Sequence, residues 1–350
     1  MTLISIILPT NRLNSNLFPK IKNIQSGLKN SKDINILTNE FIDLISYRLF
    51  GINHYLEMTL NSLGCQTFKD FELVISHRYP EDALDIVKKD WGFPIRLVRE
   101  KPSIWHNLGS KYGTLCNNIN TAVIHSSGKL LWRLDDLTFF NNKTLEELVN
   151  LWKKESYATS KGIRCIDYDT SKRDDQMSCE RIGNNKFRIT GYGWRGEDKP
   201  LAKAGTVIDK QMCWGFSSTV SIDEFLKING HDELYDGCVC GTDMDLGYRL
   251  SMISPYNRVV TENYIYEIND VPYKYMMRDD IMMRQLWRVN NLMGNSWKPS
   301  PFQLKKYEIW HKKTQGELDP NWNKFMDVPY IDMKKEYELK RLGEVIYESK

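Results

Sequence analysis

The chain reads as an α/β protein built on a mostly parallel sheet, and three observations say so. Short β-branched or apolar runs alternate with segments whose apolar residues recur at helical spacing, through about the first 150 residues. The apolar runs are continuous and do not alternate with polar residues, as strands buried on both faces do. The bulk numbers suit a packed core: of 350 residues, 41% are hydrophobic and 27% charged.

Taken in order, Leu3 to Leu8 is a buried strand stopped by Pro9. Residues 11–40 are rich in Asn, Lys and Ser and read as a loop with one short helix, part of an insertion at about 13–53. Leu56, Leu60 and Leu63 share a face, so Tyr55 to Leu63 is an amphipathic helix. Phe71 to Ile75 is a strand, Glu81 to Lys89 a helix and Ile95 to Val98 a strand. Leu115 to Ile124 is a helix with Gly128 as its stop. Leu130 to Leu134 is a strand running into Asp135-Asp136, and Thr144 to Lys153 is a helix. Residues 160–212 break the alternation and predict small antiparallel strands. Short helices follow at Ser221 to Ile228 and Asp243 to Met252, then a strand at Val259 to Ile268 and a helix at Asp279 to Leu292. A charged helix begins near Tyr330. This divides the chain into a domain over 1–255 and a mainly helical C-terminal extension over 256–350.

Several function classes are excluded or disfavoured. Net charge is +3 with no basic block, which gives nucleic acid no surface. Seven scattered Cys with no secretory signal predict free thiols in a cytoplasmic protein. The Cys238-x-Cys240 pair lacks a second pair or a nearby His at zinc-site spacing. No stretch is long enough to span a bilayer, while peripheral membrane contact stays open. There is no phosphate-binding Gly-rich loop, no dinucleotide fingerprint, no nucleophile elbow and no His-Glu-x-x-His pair.

Three constellations could carry chemistry. In open α/β sheets ligands sit beyond the carboxyl ends of the strands, and Asp135 and Asp136 lie at such an end. They read either as oxygen ligands of a hard divalent ion or as turn and cap residues. Asp243 and Asp245, followed by Arg249, open a helix; a carboxylate there stays ionised and can accept a proton, or simply caps the helix. Gln285 and Arg288 share a helix face, as a diphosphate contact or as a solvated pair.

Several segments, in order, resemble family-2 glycosyltransferases of the GT-A fold, whose central sheet is Rossmann-like with helices on both faces. These are Ile4 to Arg12, Tyr55 to Leu63, Gln66 to Glu72, Asn120 through Gly128 to Asp135, Gly215 to Ser217 through Gly230 to Glu233, and Thr242 to Leu246 with Arg249. The resemblance covers roughly residues 1–255. It implies a nucleotide-sugar donor held by Thr10, Asn11, Arg12, His77, Asn120 and Asp135. It also implies an acceptor side at Trp214, Gly215 and Asp245, with Asp243 as general base of an inverting transfer to an acceptor hydroxyl. A divalent metal (Mn²⁺ or Mg²⁺) would sit on Asp135 and Asp136. The acceptor is a glycan, a lipid-linked molecule or a protein, in glycan biosynthesis.

Four features depart from that pattern. Leu137 stands where the second Asp of D-x-D belongs, Thr242 replaces the Glu before the base, and Ser76-His77-Arg78 replaces an acidic strand end. The fourth is the insertion after Arg12. They motivate a second reading: a catalytically impaired GT-A protein that binds sugar or nucleotide, or scaffolds an assembly.

Overall fold

The computed structural model describes residues 2–10, 52–103, 106, 114–136, 138–166, 178–181, 187–190, 193–197, 202–213, 217–236, 242–268 and 331–349. The insertion at 13–53, except for its last two residues at the start of a helix, lies outside these residues. So do the helix expected at 279–292 and the Cys238-x-Cys240 pair.

The first strand, β1 (Ile4–Thr10), is buried along its whole length. Helix α1 (Ile52–Gly64) follows and turns Leu56, Leu60 and Leu63 inward, each fully buried. β2 (Phe71–His77) is also wholly buried. The expected helix at 81–89 is a 3₁₀ turn over Pro80–Asp82 and then a four-residue helix, α2 (Leu84–Val87). Ile86 and Val87 of that helix are buried and Leu84 packs against the core beside them. β3 (Ile95–Arg99), α3 (Leu115–Ile124) and β4 (Leu130–Leu134) come next.

Gly128 is needed for a reason other than stopping a helix. α3 ends on His125, and a Cβ on Gly128 would fall 2.4 Å from the Ser5 backbone nitrogen. The Gly128 N–H instead donates to Ser5 Oγ at 2.7 Å, which lets the chain enter β4 tightly against β1.

β5 (Thr138–Phe140), α4 (Thr144–Lys153), the long β6 (Ser156–Ile166), β7 (Ser178–Arg181), β8 (Phe187–Thr190), β9 (Gly193–Glu197) and β10 (Val207–Ile208) follow. Then come β11 (Ser217–Ser221), α5 (Ile222–Lys227), α6 (Thr242–Ile253) and β12 (Asn257–Ile268). Ser221 caps α5 by accepting from the Glu224 N–H. The described chain closes with α7 (Met333–Leu339) and β13 (Glu344–Glu348).

Among the described residues, eleven strands make one sheet in the order β10-β12-β6-β11-β4-β1-β2-β3-β13, with β5 on β12 and β9 on β6; β7 and β8 pair separately. β3, β2, β1 and β4 are parallel, and β12 runs parallel to β6, while β11 is antiparallel to β4 and β6. This is the expected α/β class with a mostly parallel centre.

The sheet also crosses the expected boundary at residue 255. β12 inserts between β6 and β10, and β13 adds antiparallel to β3. The closing segment is tied in by side chains. Asn229 donates to the Ile331 carbonyl at 2.8 Å and accepts from the Met333 N–H at 2.9 Å. Arg96 pairs with Glu348, and Arg99 with Glu344 at 3.1 Å. No helix among the described residues is long and apolar enough to cross a membrane.

Candidate functional site at the strand ends

The parallel strands bring Thr10, His77 and Asp135-Asp136 to one end of the sheet. Residues alternate between sheet faces. Arg133 is in register with Ile7, three residues from Thr10, so Arg133 and Thr10 lie on opposite faces. The two aspartates divide between these faces. Asp135 Oδ1 lies 3.5 Å from the Arg133 guanidinium. Asp136 is buried and accepts from Thr10 Oγ1 at 2.5 Å. Thr59 of α1 donates to the Thr138 carbonyl at 2.7 Å, which fixes the turn between them.

Two carboxylates that hold one hard ion must converge on it. Here each aspartate has its own protein partner, Asp135 the Arg133 guanidinium and Asp136 the Thr10 hydroxyl. Among the described residues, no group of three or more His, Cys, Asp or Glu could hold a metal.

Asp243 sits in the first turn of α6, on the Arg133 face. Its Oδ1 accepts from the Thr242 hydroxyl at 2.7 Å and from Arg133 at 3.3 Å. Both contacts fall on one oxygen, and the side chain keeps 35% of its surface exposed. Thr242 thus steadies the carboxylate beside it.

Asp245, only two residues on, behaves differently. Its side chain is 2% exposed and pairs with Arg249 at 2.5 Å. Arg249 also donates to the carbonyls of Ile228 and Gly230, each at 2.7 Å. Asp245, expected on the acceptor side, is buried against Arg249, which ties α6 to the turn after α5. Asn120, expected beside the donor, is similarly a clamp. Its amide donates to the His231 carbonyl at 2.8 Å and to Glu233 at 2.9 Å, and accepts from the His231 N–H at 2.9 Å.

His77 is fully buried, opposite Thr10 in the β1–β2 register, and its Nδ1 accepts the Tyr79 N–H at 2.7 Å. Asn11, Arg12, Leu137, Trp214, Gly215, Gln285 and Arg288 lie outside the described residues.

Sequence reasoning missed Arg133. Its signal was a lone charge inside the apolar run Leu130-Leu131-Trp132-Arg133-Leu134. Burial alone would lower the guanidinium's pKa, but Asp135 and then Asp243 outweigh it and the balance is upward. Arg133, Asp243 and His231 line a small, largely apolar cavity with Ile7, Leu131 and Ile119. Arg133 Nε and His231 Nδ1 are both buried without hydrogen-bond partners among the described residues. Burial, then Arg133 and Arg249, push His231 well below the usual histidine range, so it is neutral.

No family model matches the chain, and no curated protein matches it. Among solved structures it is similar to TarS of S. aureus. The 1–349 form in complex with UDP-GlcNAc aligns over 96% of this chain and 78% of its own, at 11% identity and a TM-score of 0.49. The same form in a second structure gives 12% identity, 96% and 77% coverage and a TM-score of 0.46. A further TarS structure gives 14% identity, 91% and 44% coverage and a TM-score of 0.45.

Proposed function

We propose that this chain is a glycosyltransferase that moves a sugar from a nucleotide-sugar donor to an acceptor hydroxyl with inversion. One observation carries the reading. A partly exposed carboxylate at a helix start, Asp243, and a carboxylate at a parallel strand end, Asp135, are joined through one guanidinium. Strand ends of this kind are where ligands bind, and a carboxylate held beside such a place is suited to take a proton. The ordered family resemblance in the sequence agrees with this.

In the proposed reaction the acceptor hydroxyl's proton passes to Asp243. The acceptor oxygen forms its bond to the anomeric carbon, and the bond from that carbon to the diphosphate breaks. The bonding pair leaves with the diphosphate. Thr242 and Arg133 hold Asp243 Oδ1, which leaves Oδ2 outside that pair of contacts. Asp135 faces the donor, while Thr10, on the opposite sheet face, holds Asp136.

The test is a panel of nucleotide sugars, UDP-GlcNAc among them, assayed for hydrolysis and transfer with and without Mn²⁺. Asp243→Asn is expected to lower turnover by about 10²–10⁴-fold, the usual range for loss of a general base. Absence of turnover with every donor, or an unaffected Asp243→Asn, would refute the proposal. Nucleotide binding without turnover would favour the impaired, sugar- or nucleotide-binding reading.

A further inference from the structure

Arg133 occupies a place where a charge is costly unless it is paired. Its neighbours Leu131, Trp132 and Leu134 are each at most 3% exposed. Its own side chain is 12% exposed and sits between two carboxylates from different elements, 3.5 Å from Asp135 and 3.3 Å from Asp243. Asp136, the other carboxylate at that strand end, is bonded to Thr10 on the far face. The cation at Asp135 therefore belongs to the chain itself.

We propose that Arg133 is the resident cation of this site: it positions Asp135 and Asp243 relative to each other and takes the electrostatic place at Asp135 that a divalent ion would otherwise fill. The inference rests on the site described under the proposed function, but not on the reaction. Two carboxylates share its charge. It acts through them, as a positioning residue. A divalent ion approaching Asp135 would meet that guanidinium. A unit positive charge at about 5 Å from a divalent ion, even screened as in water, weakens its binding about tenfold.

The test is a titration of the full chain with Mn²⁺ alone, followed by the loss of the free-ion electron paramagnetic resonance signal. Wild type and Asp135→Asn are expected to bind Mn²⁺ equally weakly. Arg133→Met is expected to bind about tenfold more tightly, and the gain should vanish in Arg133→Met/Asp135→Asn. Arg133→Lys, which keeps the charge, should behave as wild type. A merely structural role for Arg133 would give no gain and no rescue by lysine.

Tight Mn²⁺ binding by wild type that Asp135→Asn abolishes would overturn the inference, as would a folded Arg133→Met with no gain. Should Arg133→Met fail to give the wild-type circular dichroism spectrum, the comparison of wild type with Asp135→Asn decides alone. Failure of the transferase reading shows separately, as absent turnover with every nucleotide sugar. A tight Mn²⁺ site in an active enzyme would sink only the role given to Arg133.

Discussion

Asparagine at position 245 should unfold the protein far more readily than asparagine at position 243, although the two carboxylates lie in the same helical turn. Asp245 is 2% exposed and is the ionic partner of Arg249, which is itself 12% exposed. Removing that charge leaves a buried guanidinium with two carbonyls and the nearby charge of Asp232 to offset it. Breaking a buried pair from one side costs about 3–5 kcal/mol. The retained carbonyl bonds place the expected loss near the lower end, about 3 kcal/mol. With an m-value of about 3 kcal/mol/M, the urea midpoint should fall by about 1 M. Asp243 is 35% exposed and its loss leaves Arg133 still paired with Asp135, so its replacement should cost less, about 1 kcal/mol. Urea unfolding followed by circular dichroism, with turnover measured on the same samples, separates the two roles. Equal losses of stability, or a larger loss at 243, would refute the division into an anchoring and a reacting carboxylate.

Gly128→Ala should destabilise the fold by about 3 kcal/mol, because its Cβ would meet backbone atoms of Ile4 and Ser5 that cannot swing aside; a near-wild-type urea midpoint would count against the contact. His231→Gln should flatten the acid limb of stability. The folded state keeps His231 neutral, whereas the unfolded chain takes up a proton below the ordinary value of 6.5, so stability falls as pH drops below that point. One proton accounts for a slope of at most about 1.4 kcal/mol per pH unit. Urea midpoints for both proteins between pH 6.5 and 5 check this, and parallel curves would refute it.

Local patterns were legible wherever the physics was local. The apolar runs of β1, β2 and β4 and the leucine stripe of α1 depend only on neighbours in the chain. The placement of Asp243 at a helix start is equally local. What the sequence could not show depends on partners far away in it. Asn120 looks like a polar residue free for a ligand until His231, 111 residues on, takes up its amide. Asp245 looks equivalent to Asp243 until Arg249 and the turn after α5 claim it. Arg133 looks like a flaw in an apolar strand until Asp243, 110 residues away, folds against it. The strand partners of β3 and β6 were illegible for the same reason, since they come from the last third of the chain.

That last feature bears on how the molecule assembles. The central β3-β2-β1-β4 unit joins segments within the first 134 residues, whereas Arg96 meets Glu348 across 252 residues. Contacts that close such long loops are slow to form. The two flanks should therefore zip up last, with β3 and β6 standing for a time as bare edges that other chains can pair with. Refolding yield should drop steeply with protein concentration. In pulse-labelled hydrogen exchange, the amides of β1 and β2 should gain protection before those of β12 and β13.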